Sequence, residues 1–190
     1  MKYLIVGLGN IGAEYADTRH NIGFKVLDTL AGVSNISFST GRYGDVAELR
    51  HRGHLLLLLK PSTYMNLSGK AVRYWLQQEK IPLENLLVVS DDIALPFGTL
   101  RIRAKGSDGG HNGLKNIAEM IGTTEYARMR FGVGGDFPRG MQIDYVLGRW
   151  SEAEAEALPE RLKTAADAIL SFVSVGLART MNLYNTKKEG

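Results

Sequence analysis

The sequence predicts an α/β fold: a single domain with a central mixed, largely parallel sheet flanked by helices. Two observations carry this reading. Strand-like and helix-like patterns alternate along the chain, as they do when helices cross between parallel strands. The runs Leu55–Leu59 and Leu86–Val89 are nearly continuous in apolar residues, the signature of strands covered on both faces. No linker, repeat or low-complexity tract divides the 190 residues, so one domain is expected.

The elements follow in order. Strand patterns lie at Tyr3–Val6, Asp45–Leu49, Leu55–Leu59, Leu86–Ser90, Leu100–Ala104 and Met129–Val133. Between the first two, Ile22, Val26, Leu27, Leu30 and Ala31 sit at helical spacing, and Gly32 is placed to cap that helix. A second helix is expected over Asn66–Gln78 and a third over His111–Ile121, with Gly122 beyond it. Ser151 followed by Glu154 is a capping-box pattern. It opens a helical stretch to about Tyr184, with breaks expected at Pro159 and Gly176.

Composition excludes several classes. Hydrophobic residues make up 44% and charged residues 23%, ordinary values for a soluble globular protein. There is no cysteine, which removes disulfides, thiol catalysis and cysteine-ligated metals and fits a reducing compartment. The N-terminus has one lysine and then a strand pattern, so it does not read as a signal peptide. No apolar run approaches the ~20 residues of a membrane span. Net charge is +3. The stretch 99–139 holds seven basic residues, among them Arg101, Arg103, Arg128 and Arg130, against four acidic ones. That excess hints at a polyanionic partner; a solvated strand face reads equally well.

Gly7-Leu8-Gly9-Asn10-Ile11-Gly12 spells GxGxxG after the first strand. In a dinucleotide fold the helix begins inside this motif and an acid at the end of a second strand holds the ribose. Here the helical pattern begins only near His20, and the one nearby acid, Asp28, falls inside it. Nucleotide binding is therefore disfavoured. The glycines are read as a tight turn that makes room for a substrate.

The polar residues at strand ends carry more chemistry. Asn10 and His20 follow the first strand; Tyr64-Met65-Asn66 follows Leu55–Leu59; Asp91 and Asp92 follow Leu86–Ser90; Gly110-His111-Asn112 opens the third helix. A histidine can take a proton near neutral pH, a carboxylate can orient it, and asparagine amides can stabilise an oxyanion. No serine lies in a GxSxG elbow, so water is the expected nucleophile and an activated carbonyl, such as an ester, its target. Each residue also has a structural alternative. His20, Asn10, Asn66 and Asn112 could be caps or turn residues, Asp91 and Asp92 could cap a turn or bind magnesium, and His111 could be either. His51 and His54 flank Gly53 as hairpin residues, Trp75 and Trp150 read as core or edge residues, and the four histidines show no metal spacing.

Taken together, VGLGNIGAEYADTRHNIGF, KPSTYMNLSG, VVSDDIALPFGTLRIR, GSDGGHNGLKNI, YARMRFGVGG and the late MNLYN resemble the bacterial-type peptidyl-tRNA hydrolase family over almost the whole chain. The resemblance implies hydrolysis of the ester between a peptide and the terminal ribose of tRNA, by a cytoplasmic monomer with no metal or organic cofactor, no membrane and no obligate protein partner. It places the family's catalytic histidine on His20, its aspartate on Asp91 and its site asparagines on Asn10, Asn66 and Asn112. Tyr15, Met65 and Gly110 match residues about the substrate, and Arg103 and Arg130 match contacts to the tRNA acceptor phosphates. The chain departs from the pattern at Ser90, usually histidine; at Ala94, where a second acid is missing; at Arg103, often lysine; and at Ser107 and Asp108 in a turn usually richer in glycine. Asp108 puts a negative charge near the expected path of a polyanion.

Overall fold

The computed structural model describes residues 1–185. A seven-stranded sheet in the order β2-β3-β4-β1-β5-β7-β6 forms its centre. The strands are β1 (Lys2–Gly7), β2 (Ser39–Gly41), β3 (Gly44–His51), β4 (His54–Pro61), β5 (Leu86–Asp92), β6 (Leu100–Arg103) and β7 (Ala127–Gly132). The four central strands, β4, β1, β5 and β7, are parallel to one another. Both margins are antiparallel, so the sheet is mixed and largely parallel at its core.

The apolar runs divide between two faces. Tyr3, Ile5, Leu56, Leu58, Leu87 and Val89 pack with helices α1 (Ile22–Val33) and α5 (Glu152–Val175). Leu4, Val6, Leu57, Leu59, Leu86 and Val88 face the other way, onto α2 (Ser68–Gln78) and α3 (Asn112–Ile121). Because side chains alternate along a strand, a run that must bury both faces has to be apolar throughout.

Several boundaries differ from the sequence reading, each for a local reason. Gly32 does not end α1; the helix runs to Val33 and Ser34 caps it. Pro159 does not break α5. It lies on the exposed side, as does Ala155, whose carbonyl loses its donor there, so water can take the missing bond. Gly176 (φ 89°) does separate α5 from α6 (Leu177–Tyr184). Asn66 does not cap α2: it sits inside a 3-10 turn, Met65–Leu67, with no side-chain cap. Two elements were not foreseen, β2 and the short helix α4 (Gln142–Val146). Finally, β5 extends through Asp91 and Asp92, so these acids belong to a strand rather than to the loop after it.

The glycine motif has a different use from the one expected. A Cβ on Gly7 would lie 2.2 Å from the carbonyl oxygen of Gly23, and one on Gly9 would meet the Phe24 ring at 2.9 Å. These glycines make room for α1 rather than for a substrate. The close approach seats the start of α1, and His20 just before it, on the end of β1.

Candidate active site

A cleft of about 300 Å³ opens beyond the carboxyl ends of β1 and β5, with His20, Asp91, His111 and the three asparagines Asn10, Asn66 and Asn112 among its lining residues. In a largely parallel sheet this is where ligands are held. His20 enters from a 3-10 turn, Arg19–Asn21, ahead of α1. Its Nδ1 lies 2.9 Å from both oxygens of Asp91. The Asp91 side chain is only 3% exposed. Burial works to raise its carboxyl, but attraction to His111 and His20, and the hydrogen bonds from both, outweigh it and hold the group well below the usual carboxylate range.

His111, left open by the sequence, belongs to this pair. Its Nε2 lies 2.8 Å from Asp91 Oδ1. Its Nδ1 accepts the backbone N–H groups of Gly113 (3.1 Å) and Leu114 (3.3 Å), so the imidazole is the N-cap of α3. Accepting at Nδ1 leaves the proton on Nε2, facing the carboxylate. The ligand atoms of His20, Asp91 and His111 lie within 4.8 Å of one another, close enough to surround a cation. The hydrogen bonds oppose that use: a metal would need the Nε2 lone pair of His111, and the proton would then have to sit on Nδ1, against two N–H donors. Asp92, on the other side of the strand, is outside this group. It accepts from Ala94 N (2.8 Å) and pairs with Arg130 at 3.5 Å.

Asn10 is held at both ends of its backbone by Asn21, which is buried. Asn10 N–H donates to Asn21 Oδ1 (2.8 Å), and Asn21 Nδ2 donates to the Asn10 carbonyl (2.9 Å). The Asn10 side-chain oxygen accepts from Met65 N at 2.9 Å, which turns its amide NH2 outward. Asn66 and Asn112 are exposed in the cleft wall. Asn21 was not among the expected site residues; its place beside His20 in TRHN was the one available signal.

Met65, Gly110 and Arg130 also line the cleft, whereas Tyr15 and Arg103 do not. Tyr15 is half-buried in the 3-10 turn Ala13–Tyr15, and Arg103 is exposed at the end of β6. Asp108 now has a structural account: its Oδ1 accepts from Gly110 N (2.8 Å) and its carbonyl from His111 N (2.9 Å), shaping the turn that delivers His111. The basic count of the sequence overstated the free charge. Arg128 is fully buried, stacked 4.0 Å over the Tyr126 ring and donating to the carbonyls of Gly106, Ser107, Thr124 and Tyr126.

A buried aspartate bonded to a histidine in an asparagine-lined cleft fits a class, the hydrolases. Comparison with known proteins narrows it. Residues 4–190 match the family model described as peptidyl-tRNA hydrolase. A peptidyl-tRNA hydrolase of Phocaeicola vulgatus is 64% identical over 187 residues, covering 98% of this chain and all of that one. One of Porphyromonas gingivalis is 60% identical over 185 residues, with 97% and 100% covered. The crystal structure of peptidyl-tRNA hydrolase from Acinetobacter baumannii superposes with a TM-score of 0.91 at 33% identity, over 99% of this chain and 96% of that one. The chain belongs to the peptidyl-tRNA hydrolase family.

Proposed function

We propose that this chain hydrolyses the ester joining a peptide, or an N-blocked amino acid, to the terminal ribose of peptidyl-tRNA, releasing tRNA for reuse in translation. The observation that carries the reading is the commitment of His20 Nδ1 to both oxygens of buried Asp91. Nε2 then has no protein partner among the described residues and can take a proton from water in the cleft.

In the proposed sequence, Asp91 fixes the His20 tautomer and stabilises the imidazolium that forms. Water attacks the ester carbonyl as His20 removes its proton. Asn66, exposed in the cleft wall, donates to the developing oxyanion, an interaction typically worth about 2.7–4 kcal/mol. The tetrahedral intermediate collapses, and the ribose oxygen leaves with a proton from His20. Asn10 and Asn112 hold the attacking water and the peptide amide. Met65 and Gly110 contact the substrate near the ester, and Arg103 and Arg130 meet acceptor phosphates. Tyr15, in the 3-10 turn Ala13–Tyr15, meets the substrate where the tRNA end and the peptide join.

On this reading the enzyme works in the cytoplasm as a monomer, without metal or organic cofactor. Among the described residues no helix is long and apolar enough to cross a membrane. The test is release of tRNA from an N-blocked aminoacyl-tRNA by purified protein in EDTA, beside His20→Ala. Metal-independent turnover that His20→Ala abolishes is the expected result. Wild-type turnover by His20→Ala would overturn the assignment.

A further inference from the structure

Arg19 immediately precedes His20, yet its side chain leaves the cleft and fastens a different segment. Nη1 donates to the Tyr145 carbonyl and Nη2 to Glu154 Oε1, each at 3.1 Å. The guanidinium carbon lies 4.1 Å above the centre of the Tyr145 ring. The Arg19 backbone N–H donates to the Gly148 carbonyl at 3.1 Å, and Thr18 forms a bridge with Arg149. Glu154 is held in turn: it accepts from Ser151 N at 2.9 Å in the capping box of α5.

The segment so fastened includes α4, which supplies Gln142, Ile143 and Val146 to the cleft wall, with Leu147 just after it. Helix α4 has five residues, none of them buried, and Ile143 is 71% exposed. A helix this short has no stability of its own, and with only Tyr145 packed, partly buried, against the core it gains little there. Its position depends on ties to its neighbours. Those in the structure include the Arg19 contacts, the Tyr145 hydroxyl, which donates to the Val133 carbonyl at 2.6 Å, and the Tyr145 ring against Phe137, with 4.9 Å between centroids.

The geometry points to Arg19 as a positioning residue that sets the α4 wall against His20 and thereby governs binding of the acyl part of the substrate. His20 itself is held separately, by Asp91 and by the seating of α1, so the latch acts on binding rather than on proton transfer. Lysine cannot replace it, because one ammonium cannot supply both the planar fork and the ring stack.

The inference rests on the hydrolase reading, and two readouts separate their failures. The first is steady-state kinetics of wild type, Arg19→Ala, Arg19→Lys and Tyr145→Leu on tRNA esters carrying a small N-blocked amino acid or a longer apolar peptide. All three variants should raise KM about tenfold, more for the longer peptide, with kcat and its pH profile within about threefold of wild type. A fall in kcat at unchanged KM, or an altered pH profile, would overturn the assignment, as would an unchanged KM. Should Arg19→Ala fail to fold, Arg19→Lys and Tyr145→Leu decide the matter. The second readout is amide hydrogen exchange, which needs no activity. Loss of the latch should speed exchange across 142–148 while α1 stays protected, and equal exchange in variant and wild type would sink the proposal even if the wild type proved inactive on both esters.

Discussion

His111 Nε2 and Asp91 Oδ1 lie 2.8 Å apart, joining the first turn of α3 to a buried carboxylate in β5. The same carboxylate receives His20. His111 is thus a cap and a charge partner at once, and the two roles can be separated. In His111→Ala both are lost. The cap is worth about 0.5–2 kcal/mol, and a hydrogen bond to a charged group about 1.5–3 kcal/mol. Urea unfolding should show a loss of about 2–4 kcal/mol, with kcat reduced about tenfold or more as Asp91 loses its second tether. In His111→Asn the shorter side chain can still cap α3 but cannot span to Asp91. Stability should recover by about 1 kcal/mol while kcat stays low. Recovery of both together would show that capping alone matters.

Asp91→Asn should leave the shape of the site and damage its chemistry. The amide can present an N–H to His20 Nδ1, which favours the tautomer with its proton on Nε2, the nitrogen that the proposed mechanism uses as base. A drop in kcat of about 10²–10⁴ is expected by analogy with catalytic triads. The stability effect has a definite sign. The folded carboxyl is held below its ordinary 3.8, so ionisation stabilises the native state above that value, and the contribution is lost as pH falls through the folded value. The stability gap between wild type and Asp91→Asn should therefore narrow as pH falls below about 5. A gap that widens in acid would contradict the assignment.

The sequence reveals those parts of the fold that repeat a pattern. Leu4–Val6, Leu56–Leu59 and Leu86–Val89 are buried on both sheet faces, and their unbroken apolarity states as much. By contrast β2 has three residues with none buried, and α4 has five with none buried. Neither carries a periodic apolar signal, because β2 adds nothing to the core and α4 only the partly buried Tyr145. The residue types of the site were legible, since His20, Asp91 and the asparagines all fall near strand ends. Their bonding was not. That His111 turns toward Asp91, or that Asn21 reaches back to Asn10, depends on how α1 and α3 seat on the sheet. The glycine spacing in β1 looked like a ligand loop because close packing against Gly23 and close approach of a ligand require the same missing side chain.

Asn21 offers a test of that seating. Its amide satisfies both the N–H and the carbonyl of Asn10. In Asn21→Ala both backbone groups lose their partner in a part-buried setting, at a cost of about 1–3 kcal/mol, measurable as a lower urea midpoint. Asn10 would then be free to shift, and kcat/KM should fall about tenfold or more although Asn21 itself is not a wall of the main cleft. A stability loss with unchanged kcat/KM would show that the clamp serves the fold alone.

The arginines near β6 and β7 should divide into two behaviours. Arg103 is exposed at the end of β6 with no protein partner among the described residues. If it meets a tRNA phosphate, Arg103→Ala should weaken tRNA binding and lower the slope of log K against log salt by about one, with thermal stability unchanged. Arg130 is already engaged, with Asp92 at 3.5 Å and with the Ser107 carbonyl. Any phosphate contact must compete with those partners, so Arg130→Ala should change the slope by less. Arg128 is the contrasting control. Opposite Arg103 in the ladder between β6 and β7, it spends its donors on four backbone carbonyls and none on solvent. Arg128→Ala strands those carbonyls and removes the stack on Tyr126, so it should cost about 3 kcal/mol or more in unfolding free energy. Whatever protein remains folded should keep the wild-type salt slope. Salt titrations of tRNA binding beside urea melts check all three. A lowered slope in Arg128→Ala, or an unchanged slope in Arg103→Ala, would mean that the phosphate path does not run along the exposed end of β6.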